Sequence, residues 1–423
     1  MTENFLHYIW LYKKFNLFNL HASSGQKIEI IKSGILNKNS GPDFTMSKIL
    51  IDGIEWNGNI EIHTKSSDWL KHNHENNDSY KNIILHVVYI HDKEIPSLIK
   101  NNIPTLELQS YIPDQLIKNH SFLFFDPFYF IPCEKLIDKY LLTPNFSISE
   151  HLYINKLQEK LEKIKQLCHL LNNNWEAVLA TTLAYSFGLK INAEAFEQLF
   201  LSIDYKIIQK LSYKPILLEA LFYGLTNNSF KHKDDSYSLL LKEEFNYLKS
   251  KFLLTKQNIE LKYFRLRPSN FPTIRLSQFA HLLSLYPNLF SHVVESKSID
   301  QYFNLLDKVY ASEYWNNHYV FGKESKLNII KKLSKSQKEL IVLNSFIPIK
   351  FTYSLSIGKS MIEEIIDITN KIPAENNSVI NKFKKLGFPI ISALDSQAFL
   401  DLYKNKCSNK QCLTCLIGHQ ILK

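Results

Sequence analysis

The stretch Gly41–His63, GPDFTMSKILIDGIEWNGNIEIH, decides how the first part of the chain folds. It contains two runs of β-forming residues, Ile49–Ile51 and Asn59–His63. The dipeptide Asp52-Gly53 between them is typical of a tight turn. The stretch therefore predicts a β-hairpin with an acidic residue, Asp43, at its entrance.

The second run of the hairpin has one polar and one apolar face. Side chains alternate between the two faces of a strand, so Glu61, His63 and Lys65 share one face. Ile60 and Ile62 share the other, which suits a protein core. We expect the polar face to be presented for chemistry and, with the acid at the hairpin entrance, to form a divalent-metal site.

The composition is that of a basic globular protein. The chain has 423 residues, 45% hydrophobic and 22% charged, which is enough for a substantial core in two or three domains. The net charge of +9 permits DNA or RNA as a partner, although AT-biased coding also enriches a chain in lysine. No apolar run reaches about eighteen residues, so we expect no membrane partner. Five cysteines and no secretory signal pattern predict a cytoplasmic protein.

Helix and strand patterns alternate in the N-terminal part of the chain. Residues 3–19 have apolar positions at helical spacing, and strand formers occupy 26–35, 83–89 and 105–108. Such an order predicts an α/β domain, which we assign to residues 1–130.

The rest of the chain has mainly helical patterns. We expect a large all-α domain over residues 131–405 and a cysteine-containing tail over 406–423 that docks near Cys133. The predicted helices include 147–171, 175–187 ended by Gly188, and 323–333.

Several histidines follow the polar strand. His72 and His74, with Asp78 and Tyr80, form a polar group that can reach a metal ion or a phosphate. An ordinary solvated loop is the alternative. His86 lies inside an apolar run, so we interpret it as a hydrogen-bonded core histidine.

Arginine is confined to one segment of the chain. Of 50 basic residues only Arg265, Arg267 and Arg275 are arginine, all within the eleven residues RLRPSNFPTIR. A guanidinium fork binds phosphate in a geometry that lysine cannot match, so these residues are candidate substrate contacts. The alternative is a structural role in a rigid loop, which the two prolines and Phe271 favour.

The tail has the cysteine spacing of a metal site, Cys407-x4-Cys412-x2-Cys415. Two thiolates separated by two residues commonly bind one ion, and a tetrahedral zinc site needs a fourth ligand. Reduced cysteines without a metal are the alternative. The candidate fourth ligands, in order of preference, are Cys133, His419 and Cys168.

The chain resembles an uncharacterised bacterial domain-of-unknown-function family over nearly its whole length. The segments that carry the resemblance are GPDF at 41–44, GNIEIH at 58–63, DWLKHNH at 68–74, YKNIILHVV at 80–88, EALFYG at 219–224, RLRPSNFPTIR at 265–275 and the tail.

The N-terminal part also resembles the PD-(D/E)xK, or restriction-endonuclease-like, nuclease superfamily. Pro42-Asp43 matches the first part of that signature, and Glu61-Ile62-His63 lies where (D/E)-x-K is expected. The resemblance implies a mixed sheet flanked by helices, with Asp43 and Glu61 binding Mg²⁺ or Mn²⁺. His63 departs from the signature lysine. It would orient the attacking water, and Lys65 would supply the missing charge.

Some nucleases of that superfamily carry an iron–sulfur cluster held by one upstream cysteine and three near the C-terminus. The positions of Cys133, Cys407, Cys412 and Cys415 resemble this arrangement. The resemblance therefore implies an iron–sulfur cluster, and the ligand type also permits Zn²⁺.

Together these features predict a Mg²⁺-dependent nuclease or a nuclease-like nucleic-acid-processing protein. One alternative is a catalytically inactive nucleic-acid-binding or scaffold protein on the same fold. Another is a metal-dependent hydrolase of a non-nucleic substrate, in which His72 and His74 join Glu61 and His63 around one ion.

Overall fold

The structure is a computed structural model, and contacts within the chain divide it into two units. The first unit consists of Met1–Phe146, Lys382–Phe388 and Leu402–Lys423, and the second of Ser147–Asn381 and Pro389–Asp401. The domain limits that the sequence suggests, at 130/131 and 405/406, remain a prediction. The residues described are 1–37, 40–124, 129–137, 148–227, 234–255 and 257–422.

The first unit is built on a seven-stranded mixed sheet. Its strands are β1 (Leu20–His21), β2 (Lys27–Lys32), β3 (Ile35–Leu36), β4 (Phe44–Ile51), β5 (Ile54–Lys65), β6 (Ile83–Ile90) and β7 (Thr105–Glu107). The order is β1-β2-β4-β5-β6-β7, and β3 pairs with β4. Pairing is antiparallel from β1 to β5 and parallel from β5 to β7. The sequence-based prediction of a mixed sheet with flanking helices is confirmed.

The predicted hairpin is β4 and β5. Asp52 and Gly53 form its turn with φ values of 50° and 81°, as a two-residue turn of this kind requires. Ile60 and Ile62 are buried, as expected of the apolar face. Glu61 and His63 are buried as well, because β5 lies in the middle of the sheet. The polar face is therefore enclosed rather than presented to solvent.

In the described part of the chain before residue 125, helices flank the sheet. They are α1 (Glu3–Leu11), α2 (Asp68–Lys71), α3 (Pro96–Lys100) and α4 (Asp114–Phe124). Thr2 caps α1 by accepting a hydrogen bond from the Phe5 N–H, and α1 packs on β5. The helix ends well before residue 19, because Lys13 takes a left-handed conformation with φ of 50°.

The chain beyond residue 147 is mainly helical, which confirms the predicted helical region. It also contains two π-helical segments, Val342–Phe346 and Tyr403–Cys407, and two short strands, β8 (His318–Val320) and β9 (Lys323–Glu324). The helices are α5 (Ile148–Leu170), α6 (Trp175–Phe187), α7 (Leu189–Leu201), α8 (Tyr205–Leu211), α9 (Pro215–Gly224), α10 (Ser236–Phe252), α11 (Pro272–Leu285), α12 (Leu289–Glu295), α13 (Ile299–Asp307), α14 (Lys335–Ile341), α15 (Ile347–Ser356), α16 (Ile362–Asn370), α17 (Ser378–Lys385), α18 (Ala393–Leu402) and α19 (Leu416–Ile421).

Two details of the helical region differ from the sequence-based expectation. The helix predicted over 323–333 is wrong, because this segment contains β9 and then irregular chain. Gly188 follows α6 as expected but has φ of −66°, so it does not form a left-handed cap. None of the described helices combines the length and the apolar character needed to span a bilayer.

We predict that Gly34→Ala strongly destabilises the sheet next to the hairpin entrance. Gly34 has φ of 96°, and an added Cβ would lie 2.8 Å from the Thr45 carbonyl oxygen and collide with the Ser47 hydroxyl. Strain and overpacking together should lower the free energy of unfolding by about 2–5 kcal/mol. The control is Gly53→Ala, which has φ of 81° and open space around the Cβ. It should cost only about 1–2 kcal/mol in the same urea titration. Equal losses would contradict the prediction.

Candidate metal centre

Asp43 ties the start of β4 to β5. Its backbone N–H donates to Glu61 Oε2 at 3.1 Å, and its Oδ2 accepts from the Ile62 N–H at 2.9 Å. His7 Nε2, on α1, lies 3.1 Å from the same Oδ2 but without the alignment of a hydrogen bond. These contacts hold the Glu61 carboxylate in place at the strand that also carries His63.

The chain after β5 turns back so that two further histidines reach His63. Asp68 Oδ2 accepts from the Thr64 hydroxyl and the Lys65 N–H, which fixes the loop before α2. His72 follows α2, and the next residue, Asn73, is left-handed with φ of 54°. This turn allows both His72 and His74 to approach the end of β5.

Three imidazoles converge on one another at this point. His63 Nε2 lies 3.1 Å from His72 Nδ1 and 3.3 Å from His74 Nε2. The ligand nitrogens of the three residues all lie within 4.8 Å of one another. Tetrahedral ligands at metal–nitrogen distances of about 2.0–2.1 Å are about 3.3 Å apart, so the spacing suits a shared ion.

Glu61 adds a carboxylate to this group. Its Oε1 lies 3.2 Å from His74 Nε2 and 3.6 Å from His63 Nε2. Burial raises the pKa of Glu61, the charge of Asp43 acts in the same direction, and the hydrogen bond with His74 opposes both. Glu61, His63 and His74 are buried whereas His72 is exposed, so the group meets solvent at His72.

His86 orients His63 from the neighbouring strand. The parallel register pairs Glu61 with His86, and His86 Nε2 lies 2.9 Å from His63 Nδ1. When His63 Nδ1–H donates to His86, the lone pair of His63 Nε2 faces His72 and His74. His86 is thus a buried core histidine that bonds to a site residue, and its own Nδ1 has no hydrogen-bond partner.

Both buried imidazoles are neutral at physiological pH. Burial lowers the pKa of His63 to about 2, and the neighbouring histidines act in the same direction. Burial lowers the pKa of His86 to about 3. Neutral imidazole is the form that coordinates a metal ion, so binding at His63 requires no loss of a proton.

Aromatic rings enclose the histidines on one side. Tyr80 stacks on His74 with ring centroids 4.0 Å apart, and Trp69 meets the edges of His63, His74 and His86. Trp69 is anchored in a small apolar cluster with Ile83, Ile95 and Leu98. The rings fix the loop and exclude water from the buried side of the group.

The other predicted site residues lie outside the converging group. Lys65 is exposed at the end of β5, and Asp43 contacts Glu61 through its backbone. The three arginines belong to the second unit, where Arg265 and Arg267 are exposed. Arg275 is buried.

Arg275 makes contacts within the protein, as expected of a structural role rather than of phosphate binding. It donates to Gln278 Oε1 at 2.7 Å and Asn270 Oδ1 at 2.5 Å. Burial lowers its pKa to about 10. The guanidinium thus connects α11 to the loop before it.

Four cysteines of the first unit lie close enough to influence one another. Burial raises the pKa of Cys133 to about 12, and Cys412 and Cys415 add to this effect. Burial also raises the pKa of Cys407, where the other three thiols contribute. The structure therefore brings Cys133 to the three cysteines of the tail.

The local backbone around Cys415 suits a thiolate. The N–H groups of Ile417 and Gly418, at the start of α19, donate hydrogen bonds to its sulfur and lower its pKa against the effect of burial. Gly418 also approaches the Cys412 carbonyl so closely that a Cβ would collide with it. A glycine is therefore required at this point of the cysteine loop.

The alternative fourth ligands have other surroundings. His419 Nε2 lies 2.6 Å from the Leu413 carbonyl oxygen, and its ring packs against Tyr8 and Tyr12. Cys168 belongs to the second unit. These positions favour Cys133 as the fourth ligand.

Two contributions to the site escaped the sequence analysis. His7 lies on the amphipathic helix α1 and belongs to no sequence motif, so no pattern linked it to Asp43. The hydrogen bond between His63 and His86 depends on the register of β5 and β6, which the sequence does not specify.

Comparison with known proteins assigns the chain to a family but to no characterised relative. Searches of curated proteins and of solved structures give no match. A family model described as "Protein of unknown function (DUF2851)" matches residues 3–378, which confirms the domain-of-unknown-function resemblance. Since this match spans most of its length, the chain belongs to the DUF2851 family.

Proposed function

We propose that this protein is a metal-dependent hydrolase that cleaves phosphodiester bonds in nucleic acid. The observation that carries the proposal is the convergence of Glu61, His63, His72 and His74, with contacts between 3.1 and 3.6 Å. A catalytic zinc ion can expand to five ligands, so the four side chains leave a position for water or substrate at the exposed edge by His72.

The donor set favours a borderline transition-metal ion. Imidazole nitrogen suits zinc, iron or nickel, whereas Mg²⁺ prefers oxygen ligands. We therefore propose Zn²⁺ or a similar ion in place of the Mg²⁺ or Mn²⁺ that the nuclease resemblance implies. Such an ion polarises a phosphoryl oxygen and lowers the pKa of water.

Each residue of the group has a distinct proposed role. Glu61, His63, His72 and His74 hold the ion, and His86 sets the orientation of His63. Asp43 positions Glu61 through its backbone. The exposed edge at His72 admits the substrate.

The choice of a nucleic-acid substrate has two supports. The mixed sheet flanked by helices is what the PD-(D/E)xK resemblance implies, with Pro42-Asp43 and Glu61 at its signature positions. The net charge of +9 complements a polyanion. Exposed Lys65, on the strand that carries Glu61 and His63, is a proposed phosphate contact.

A hydrolase of a non-nucleic substrate is the second candidate. It uses the same four ligands, Glu61, His63, His72 and His74, so the contacts of both histidines with His63 support it as well. The two candidates share one metal centre and differ in substrate.

We predict that the histidine group binds one Co²⁺ ion, a spectroscopic substitute for Zn²⁺. His72→Ala should weaken binding by about 100-fold or more, because it removes one of the metal ligands. His86→Gln should weaken it by only about 10- to 100-fold, as an orienting partner does. The control is His21→Ala, an exposed histidine of the same unit.

Visible absorption distinguishes Co²⁺ bound to histidine from Co²⁺ bound to thiolate, and thermal melts confirm folding. Equal affinity of the His72→Ala and His21→Ala variants would contradict a shared ion at the histidine group.

We predict that the protein cleaves DNA or RNA when supplied with Zn²⁺, Mn²⁺ or Mg²⁺. Glu61→Gln should reduce the rate by about 100-fold or more, because it removes the carboxylate ligand. The control is Glu55→Gln on the same strand, where an exposed glutamate pairs with Lys48. Gel assays with single- and double-stranded substrates measure the rates.

The outcomes of this assay separate the candidate functions. Cleavage that Glu61→Gln and Glu55→Gln reduce equally is evidence against the proposed site. Salt-sensitive binding that survives Glu61→Ala without any cleavage indicates an inactive binding module. Metal binding without nucleic-acid cleavage or binding favours the non-nucleic hydrolase.

We propose that Cys133, Cys407, Cys412 and Cys415 hold a second metal group. The four thiols lie close enough to influence one another electrostatically, as ligands of one metal group would. The ligand type permits Zn²⁺ as well as an iron–sulfur cluster. The resemblance to nucleases with one upstream and three C-terminal cysteines favours the cluster.

We predict that anaerobically purified protein contains iron and acid-labile sulfide. Cys412→Ser should remove most of both and abolish the visible absorption of the cluster, because a ligand is lost. Cys168→Ser, a buried cysteine of the second unit, is the control and should retain them. Zinc without iron would correct the metal, and absence of both would refute the site.

A further inference from the structure

A groove of about 770 Å³ lies within the second unit, and none of the site residues discussed above lines it. Helices α5, α6, α7 and α14 form its walls, and the π-helical segment Val342–Phe346 contributes Asn344. Its volume is in the range of small-molecule sites. The apolar side chains along the groove include Ile164, Leu167, Leu189, Leu340 and Pro348.

The charged side chains of the groove are mainly cationic. Lys160, Lys163 and Lys190 line it, against a single carboxylate, Glu197. Burial raises the pKa of Glu197, and Lys163 opposes the effect. An apolar groove with excess positive charge complements an anion that also carries an apolar body.

Lys160 is the lysine best placed to bind such an anion. Its Nζ donates to Asn344 Oδ1 at 2.9 Å and to the Leu343 carbonyl oxygen at 3.4 Å, both neutral acceptors. No carboxylate in the described part of the chain forms an ion pair with it. An ammonium has three N–H donors, so one remains for a ligand.

We propose that this groove binds a single-chain alkyl carboxylate. The carboxylate accepts a charge-assisted hydrogen bond from Lys160, and the alkyl chain lies along Ile164, Leu167 and Leu189. Burial of the chain supplies most of the affinity, and Lys160 selects the anion. This site is independent of the proposed hydrolase activity.

The surroundings of Lys160 make the proposed binding sensitive to pH. Burial lowers its pKa to about 7, Lys156 and Lys163 act in the same direction, and Asp401 and Glu375 oppose it. A bound carboxylate stabilises the protonated amine. Affinity should therefore fall as pH rises above about 7, because the free amine loses its proton.

The test is isothermal titration of the full chain with dodecanoate and dodecanol below their micelle concentrations. At pH 6.5 we expect dodecanoate to bind at least about tenfold more tightly than dodecanol. Lys160→Met should weaken dodecanoate binding by about 10- to 100-fold and leave dodecanol unchanged. Lys165→Met, an exposed lysine of the same helix paired with Glu162, is the control and should change neither.

The wild-type protein provides a test that does not depend on the folding of a variant. Raising the pH from 6.5 to 9 should weaken dodecanoate but not dodecanol binding. Failure of dodecanoate to bind, or equal losses in the two lysine variants, overturns the proposal. Binding of dodecyltrimethylammonium as tightly as dodecanoate also overturns it, because the groove would then be apolar without selecting an anion.

Discussion

The parallel pairing of β5 with β6 is the constraint on which the candidate centre depends. It places β5 in the middle of the sheet and buries Glu61 and His63. A buried polar group without a partner costs about 1–3 kcal/mol, so both side chains need hydrogen bonds inside the protein. Asp43, His74 and His86 provide them. The same contacts that satisfy buried groups also orient the candidate ligands.

The charge state of the centre follows from this burial. Imidazoles only 3.1–3.3 Å apart cannot all be protonated, and the pKa of His63 is lowered to about 2. With neutral histidines, an ionised Glu61 leaves the group with one negative charge. Such a group complements a divalent cation. Burial raises the pKa of Glu61, and a bound cation would oppose this effect by favouring the ionised carboxylate.

The sequence predicts the local parts of this site better than their assembly. Strand alternation correctly placed Glu61 and His63 on one face, because that periodicity is local. The approach of His72 and His74 depends on the left-handed turn at Asn73, which no periodicity reveals. The role of His86 depends on strand register, a long-range property.

Tertiary contacts also explain the clearest error in the helical region. The segment 323–333 has apolar residues at helical spacing, yet Lys331 is buried and donates to the carbonyl oxygens of Asn316 and Ile329. These bonds hold the segment in an irregular conformation. A helix that local propensity predicts therefore forms only where no tertiary contact of this kind competes with it.

The residue at position 63 decides how the nuclease resemblance should be interpreted. A lysine there would supply a permanent positive charge, whereas His63 is buried, neutral and bonded to His86. His63 therefore cannot replace the lysine by charge. His63 instead forms a group of possible metal ligands with His72 and His74. If the chain cleaves phosphodiesters, the positive charge near the scissile group must come from a bound cation or from exposed residues such as Lys65.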